Sequence, residues 1–391
     1  MIKTAHYMLK RELAFLLERK KSRAFFMCIY PFIIMGFLII IFSGEVLNKI
    51  PIAVNDNSQG NYAREVARGL SSNQYLKVKE FPTRHAALKA LHQGRVYGVV
   101  SIDKNFDKDI SKHTSGQISA WVNNEYLLIG SNVNKGINSV ILTLNNTQQR
   151  KILAALGVPN SMWEALSSPL QVSETILHNP SLNYIYFLGL GLLPAIFQLF
   201  VCLSVCYSLL WDIKTRHAKY LRHTFTVHPY TAAGTKIGFY IAGYTLIMLF
   251  MLAIMTIFFK LPINGSLLLT ALGVFAFVFL TASTALLIAA ITNNLRLAMS
   301  FCAAYAAPAF AYYGVSFPVQ SMPFLARIWA EFMPGAHLNR IFVNELLRGA
   351  NTDGTLQEIA FMLGLGLLFF WLGTKGYAHW TKQDKYLGPK L

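Results

Sequence analysis

The chain has 391 residues, 54% of them hydrophobic, and 35 Lys and Arg against 18 Asp and Glu give it a formal net charge of +17. That apolar content excludes a soluble globule, and its concentration in six long runs predicts a membrane protein. All four cysteines (Cys28, Cys202, Cys206 and Cys302) fall inside those runs, which excludes a disulfide framework for the polar remainder.

Residues 1–23 place Leu9, Leu13, Leu16 and Leu17 at helical spacing, with Lys10, Arg11, Glu18 and Arg19 on the other side. This predicts an amphipathic cytoplasmic helix lying on the membrane surface. The first apolar run, 24–43, is longer than a signal-peptide core and lacks a small-residue cleavage site, so it reads as a retained signal anchor and first span.

Residues 44–184 are polar enough to fold in water and suit one domain. Alternation predicts a half-buried strand at 75–81, and short apolar runs predict strands at 51–54, 96–102 and 117–122, with helices at 62–70 and from Thr83 or Arg84 to His92, stopped by Gly94. A long, weakly amphipathic segment, 127–156, returns towards the membrane. Strands separated by helices predict a small α/β domain. His85, His92, His113 and His178 are scattered without ligand spacing and read as surface residues; no catalytic or metal-binding set is predicted.

The second span, 185–210, carries Gln198 and the i, i+4 pair Cys202 and Cys206, which reads as small packing residues. Gly189 and Gly191 here, and Gly364 and Gly366 later, read as helix-packing surfaces. A loop at 211–236 concentrates Lys214, Arg216, Lys219, Tyr220 and Arg222, followed by Pro229, Gly234 and Lys236. Such a basic amphipathic segment suits anionic lipid or a partner's groove. Spans follow at 237–259, 267–291 and 297–317, the last carrying Tyr305, Tyr312 and Tyr313. In 319–358, Pro318, Pro323 and Pro334 interrupt moderately apolar sequence, and Leu338, Ile341, Phe342, Glu345 and Leu346 share helical spacing. This predicts short amphipathic helices dipping into the outer leaflet, with a surface-lying helix as the alternative. The final span is 359–377, where Lys375 is near enough the end to snorkel.

The expected fold is an α-helical integral membrane protein with six transmembrane helices and an α/β extracytoplasmic domain inserted between the first and second spans. Basic residues crowd before the first span, between the second and third, and after the last. The positive-inside rule then places both termini and the 211–236 loop in the cytoplasm. The charge is a topology signal, and nucleic acid is not an expected partner. No run has an ionisable residue in its middle, where an ion-coupled transporter keeps its proton or ion carriers. Energy for uphill movement is therefore expected from another polypeptide.

Several pieces in this order carry a family resemblance. They are Ile52-Ala53-Val54-Asn55-Asp56, the stretch from Ala87 through Gly94-Arg95 before Gly98-Val99-Val100-Ser101-Ile102, and Asn105-Phe106 with Gly116. Gly314-Val315-Ser316-Phe317-Pro318, Met322-Pro323, Met333-Pro334 and Leu347-Arg348-Gly349 complete them. The chain resembles membrane permeases of the ABC-2 type exporter family, in the branch with a large extracytoplasmic domain. In the 211–236 loop the family's acidic residue and Gly-Thr pair before its Pro are replaced by Lys214-Thr215-Arg216-His217-Ala218-Lys219-Tyr220.

The resemblance implies a bacterial inner-membrane, multi-pass subunit, paired with a second permease chain as a homo- or heterodimer. Its cytoplasmic loop would dock on a nucleotide-binding ATPase subunit that holds ATP and Mg. The 391 residues contain no Gly-x-x-x-x-Gly-Lys-Ser/Thr phosphate loop, so no cofactor is expected on this chain. Candidate coupling residues are Lys214, Arg216, Lys219, Tyr220, Arg222, Pro229, Gly234 and Lys236. Candidate substrate-path residues are Gln198, Tyr305, Tyr312 and Tyr313, each of which also suits an interhelical hydrogen bond or an interface aromatic. So few charges suit a hydrophobic or amphipathic cargo. A periplasmic membrane-fusion adaptor and membrane lipid are further expected partners. The alternative is a receptor or envelope assembly factor whose extracytoplasmic domain binds a partner without transport.

Overall fold

The computed structural model describes residues 2–17, 25–42, 49–112, 114–159, 162–163, 179, 183, 185–214, 218–349 and 352–382. The chain divides into two compact units, Met1–Glu45 with His178–Leu391, and Val46–Leu177.

The Val46–Leu177 unit is an α/β domain. Its strands are β1 (Ile50–Asp56), β2 (Leu76–Glu80), β3 (Gly98–Ile102) and β4 (Ile118–Val122), in the order β2-β1-β3-β4. β1 is parallel to β2 and β3, whereas β4 joins antiparallel, with Gly98 opposite Val122. Central strands covered on both sides are largely apolar, and β3 is buried at every position, its one polar side chain, Ser101, donating to Asn55 Oδ1 at 3.3 Å. The period-2 alternation assigns each residue a layer. Ile52, Val54, Val100 and Ile102 pack with Ala63, Val66 and Leu70 of α3 (Asn61–Ser72) and with Val133 and Ile137 of α6 (Leu127–Ala155). Ala53 and Val99 point the other way, onto Ala87 and Ala90 of α4 (Arg84–His92). Thr83 caps α4, its hydroxyl accepting from the Ala86 N–H at 3.2 Å.

One helix absent from the sequence reading is α5 (Phe106–Ser111). Its Asp107 caps α3 from a distance, accepting from the Tyr62 N–H at 2.8 Å, the Ala63 N–H at 3.3 Å and the Ser58 hydroxyl at 2.7 Å. Residue 60 has no side chain to do this, and a Cβ there would collide with the Asp107 carboxylate. Asp107→Ala is expected to cost about 1–2 kcal/mol, read as an earlier unfolding of this unit in a thermal melt.

The other unit is a helical bundle. α1 (Ile2–Leu17) precedes α2 (Tyr30–Phe42), which continues a π-helical turn at Phe25–Ile29. α7 (Leu190–Lys214) continues a π-helical turn at Ile185–Gly189, and α8 (Ala218–Val227) and α9 (Pro229–Phe259) follow. Then come α10 (Leu267–Thr292), α11 (Leu295–Ala306), α12 (Phe324–Glu331), α13 (Pro334–Phe342) and α14 (Thr352–Thr381). Among the described residues, four stretches are long and apolar enough to cross a membrane as single helices: Ile185–Asp212, Pro229–Phe259, Leu267–Thr292 and Thr352–Thr381.

The predicted fifth span, 297–317, is not one unbroken helix. α11 has 12 residues, roughly 18 Å at the α-helical rise, well short of the ~30 Å hydrocarbon core. Pro308 follows directly and supplies no N–H, so the chain turns through a short 3₁₀ segment, Ala309–Tyr312, and reaches Gly314 at φ +78°. The predicted first span is helical over its described part, Phe25–Phe42.

Contacts between helix ends fix their alternation. At one end, Tyr377 of α14 donates to the Leu209 carbonyl of α7 at 2.7 Å, and the Trp380 indole to the Ala290 carbonyl of α10 at 2.6 Å. At the other, Tyr186 donates to the Lys260 carbonyl at 2.6 Å, and Glu345 accepts from the Ser266 N–H at 2.7 Å and the Thr355 hydroxyl at 2.6 Å. The first end carries α1 and the basic 211–236 segment. α10 and α14 pack closely because Gly366 lies against Phe279, where a Cβ would approach the ring to 2.7 Å.

Among the 319–358 helices, α13 is buried at every residue except Arg340. It packs on α7 and α10, so it enters the bundle rather than lying on its surface.

Candidate functional site

Lys236 occupies the centre of the basic end. It sits two turns into α9, which Pro229 opens at the position where a missing N–H costs nothing. The side chain is 1% exposed, and its ammonium donates to Glu12 of α1 and, at 2.5 Å, to Asp212 near the end of α7. Glu12 also accepts from the Ser208 and Tyr240 hydroxyls at 2.9 Å each, and Arg11 forms an ion pair with Asp212. Two cations and two carboxylates compensate one another where no single charge would be tolerated.

This node orients α1. Met8 and Glu12 face the bundle, while Leu9 and Leu13 on the adjoining face stay exposed. The helix turns a carboxylate into the protein and leaves leucines outward, the arrangement of a helix seated at a lipid interface.

Of the candidate coupling residues, Lys236 is enclosed, its ammonium held by Glu12 and Asp212. Pro229 and Gly234 shape the start of α9, with Gly234 facing the Phe370 ring of α14. Lys219, Tyr220 and Arg222 lie along α8 and Lys214 ends α7. Arg216 lies outside the described residues, as do the side chains of Lys214, Lys219, Tyr220 and Arg222.

The four candidate path residues come together at mid-bundle, where α7 meets the end of α11 and the start of α13. Tyr313 donates to Gln198 Oε1 at 2.7 Å, and the Gly335 N–H reaches the same oxygen at 3.3 Å. Gln198 Nε2 points to Met333 Sδ at 3.7 Å, and Tyr305 donates to the Phe332 carbonyl at 2.9 Å. Tyr312 packs in the same cluster, and Gln198 is fully buried. A Cβ at residue 335 would overlap the Tyr313 ring, so glycine is needed for the approach. Cys202 and Cys206 face α10, where Cys206 Sγ lies 3.2 Å from the Ala285 carbonyl, a packing role.

A second ionic group, unforeseen from the sequence, lies at the opposite end. His337 is 1% exposed, its Nδ1 is 2.5 Å from Glu358 Oε2, and its ring stacks on Phe361. Arg340 Nε donates to Glu358 Oε1 at 2.7 Å, and its Nη2 to Glu331 Oε2 at 3.2 Å. The group ties α12, α13 and α14 together. Spacing carried a faint signal, since His337 and Arg340 are neighbours at i, i+3 on one helix. Among the described residues, no three His, Cys, Asp or Glu side chains converge as a metal site.

The model of the ABC-2 family transporter proteins matches residues 21–375. The chain belongs to this family. It is the membrane permease of an ABC transporter, a multi-pass membrane protein, and membership implies an ATPase partner. No curated protein matches the sequence. The match covers the Val46–Leu177 unit, three of the four long spans in full and the last as far as residue 375.

Proposed function

We propose that this ABC-2 permease exports a hydrophobic or amphipathic substrate outward across a bacterial inner membrane, driven by a separate ATPase subunit bound to its basic, cytoplasmic end. Both termini and the 211–236 segment face that subunit, which carries ATP and Mg, and the Val46–Leu177 unit faces outward. Two permease chains form the transporter, in contact with membrane lipid and a periplasmic adaptor.

The observation that supports this most is the buried Lys236 node. It joins the interfacial helix α1 to the ends of α7 and α9, the helices flanking the basic segment. A push on α8 or α1 is thereby delivered to two spans as a rigid-body displacement. Gln198, Tyr305, Tyr312 and Tyr313 then form the closed constriction of the path, and the Tyr313–Gln198–Gly335 tie breaks when the path opens.

Proteoliposomes test the proposal. Inside-out vesicles holding the permease, its ATPase and an amphipathic dye should accumulate dye only with ATP and magnesium. Vesicles with the permease alone should not. Dye accumulation by the permease alone, or an ATP requirement that survives removal of the ATPase, contradicts it.

A further inference from the structure

The Val46–Leu177 unit contains a cleft of about 470 Å³ between α3, α5, the start of β4 and α6. That volume falls in the ~300–1,000 Å³ range of small-molecule sites. Its walls are apolar at Val66, Phe106, Ile110, Ile118, Ile141 and Leu144. Gly116 packs closely against the Phe106 wall, where a Cβ would come within 2.7 Å of the ring.

One acidic side chain, Glu65, belongs to the lining, and among the described residues no Lys, Arg or His does. That is notable in a chain of net charge +17. Glu65 accepts from Gln148 Nε2 at 3.1 Å. Its other contact, Lys151 Nζ at 3.6 Å, is long, and the two side chains are 37% and 54% exposed. Such a pair contributes little and gives way readily to a better-placed cation. An ammonium or phosphonium carried on an apolar body would set its charge on Glu65 while the body fills the aliphatic walls, where attraction is stronger than in open water.

We infer that this cleft binds a hydrophobic monocation through Glu65. The inference rests on this unit's own geometry and stands or falls separately from the transport proposal.

The test uses the full chain in phosphatidylcholine nanodiscs and tetraphenylphosphonium as the probe, by equilibrium dialysis with empty nanodiscs subtracted. Tetraphenylborate, of the same shape and opposite charge, is the control. Saturable binding of the cation at one site per chain is expected. Glu65→Gln should weaken it roughly fivefold to tenfold, and Lys151→Gln should strengthen it about twofold to threefold. Ile141→Trp, which fills the cleft, should abolish it, and an unchanged melt of Glu65→Gln shows the fold intact. Binding indifferent to Glu65→Gln, binding that survives Ile141→Trp, or tetraphenylborate held equally well overturns the inference. So does the lack of any saturable component, the result expected if a second copy or the chain itself fills the cleft.

Discussion

Lys236→Met is expected to destabilise the permease by about 3–5 kcal/mol and to abolish ATP-driven export. The ammonium is fully enclosed between Glu12 and Asp212, and removing it leaves both carboxylates where solvent cannot screen them. Arg11 still compensates Asp212, so the cost falls chiefly on Glu12, and with it on the attachment of α1. Thermal unfolding in nanodiscs reads the stability. A cysteine pair joining α1 to α9 reads the attachment, through loss of crosslinking in the variant. The double variant Glu12→Gln with Lys236→Met removes charge of both signs and should recover part of the stability, because a buried neutral pair costs less than a lone carboxylate. A wild-type melt and normal crosslinking in Lys236→Met would show that the node does not hold α1.

The next largest effect is expected at Gln198. Its carbonyl oxygen serves both the Tyr313 hydroxyl and the Gly335 N–H, so Gln198→Leu leaves two buried donors without an acceptor, each costing about 1–3 kcal/mol. If the node is the closed constriction, the same variant should raise passive dye leak through vesicles containing the permease alone. Tyr313→Phe removes one donor and leaves Gln198 bonded to Gly335, so it should cost about 1 kcal/mol and leak less. Reduced stability without leak in either variant would make the node structural only and remove it from the path.

The α/β domain was largely legible in the sequence because its signals are local. Alternation marked the second strand and short apolar runs the other three, and Thr83 and Gly94 marked the ends of α4. What escaped was α5, whose six residues are too few to show a period. The long spans were legible by hydropathy. The fifth was less so, since composition alone does not reveal that its helix gives way after Ala306 to a short 3₁₀ segment. The ionic nodes were illegible for a different reason. Glu12 stands 224 residues from Lys236 in sequence and Asp212 stands 24 from it, the latter two at the edges of apolar runs, where a charged residue ordinarily meets water. Only the folded bundle brings them together. The four path candidates, chosen as isolated polar groups in apolar sequence, converged because a polar side chain in a bundle core must find a partner.

The claim that force enters from an ATPase gripping the basic end is tested most directly by site-specific photocrosslinking in native membranes. A photoreactive residue at Val227, 52% exposed on α8, is compared with one at Leu267, 62% exposed at the opposite end of the bundle. The account predicts that Val227 captures a nucleotide-binding subunit carrying a phosphate loop, and that Leu267 does not. Capture of that subunit from Leu267, or of no nucleotide-binding protein from Val227, would contradict it.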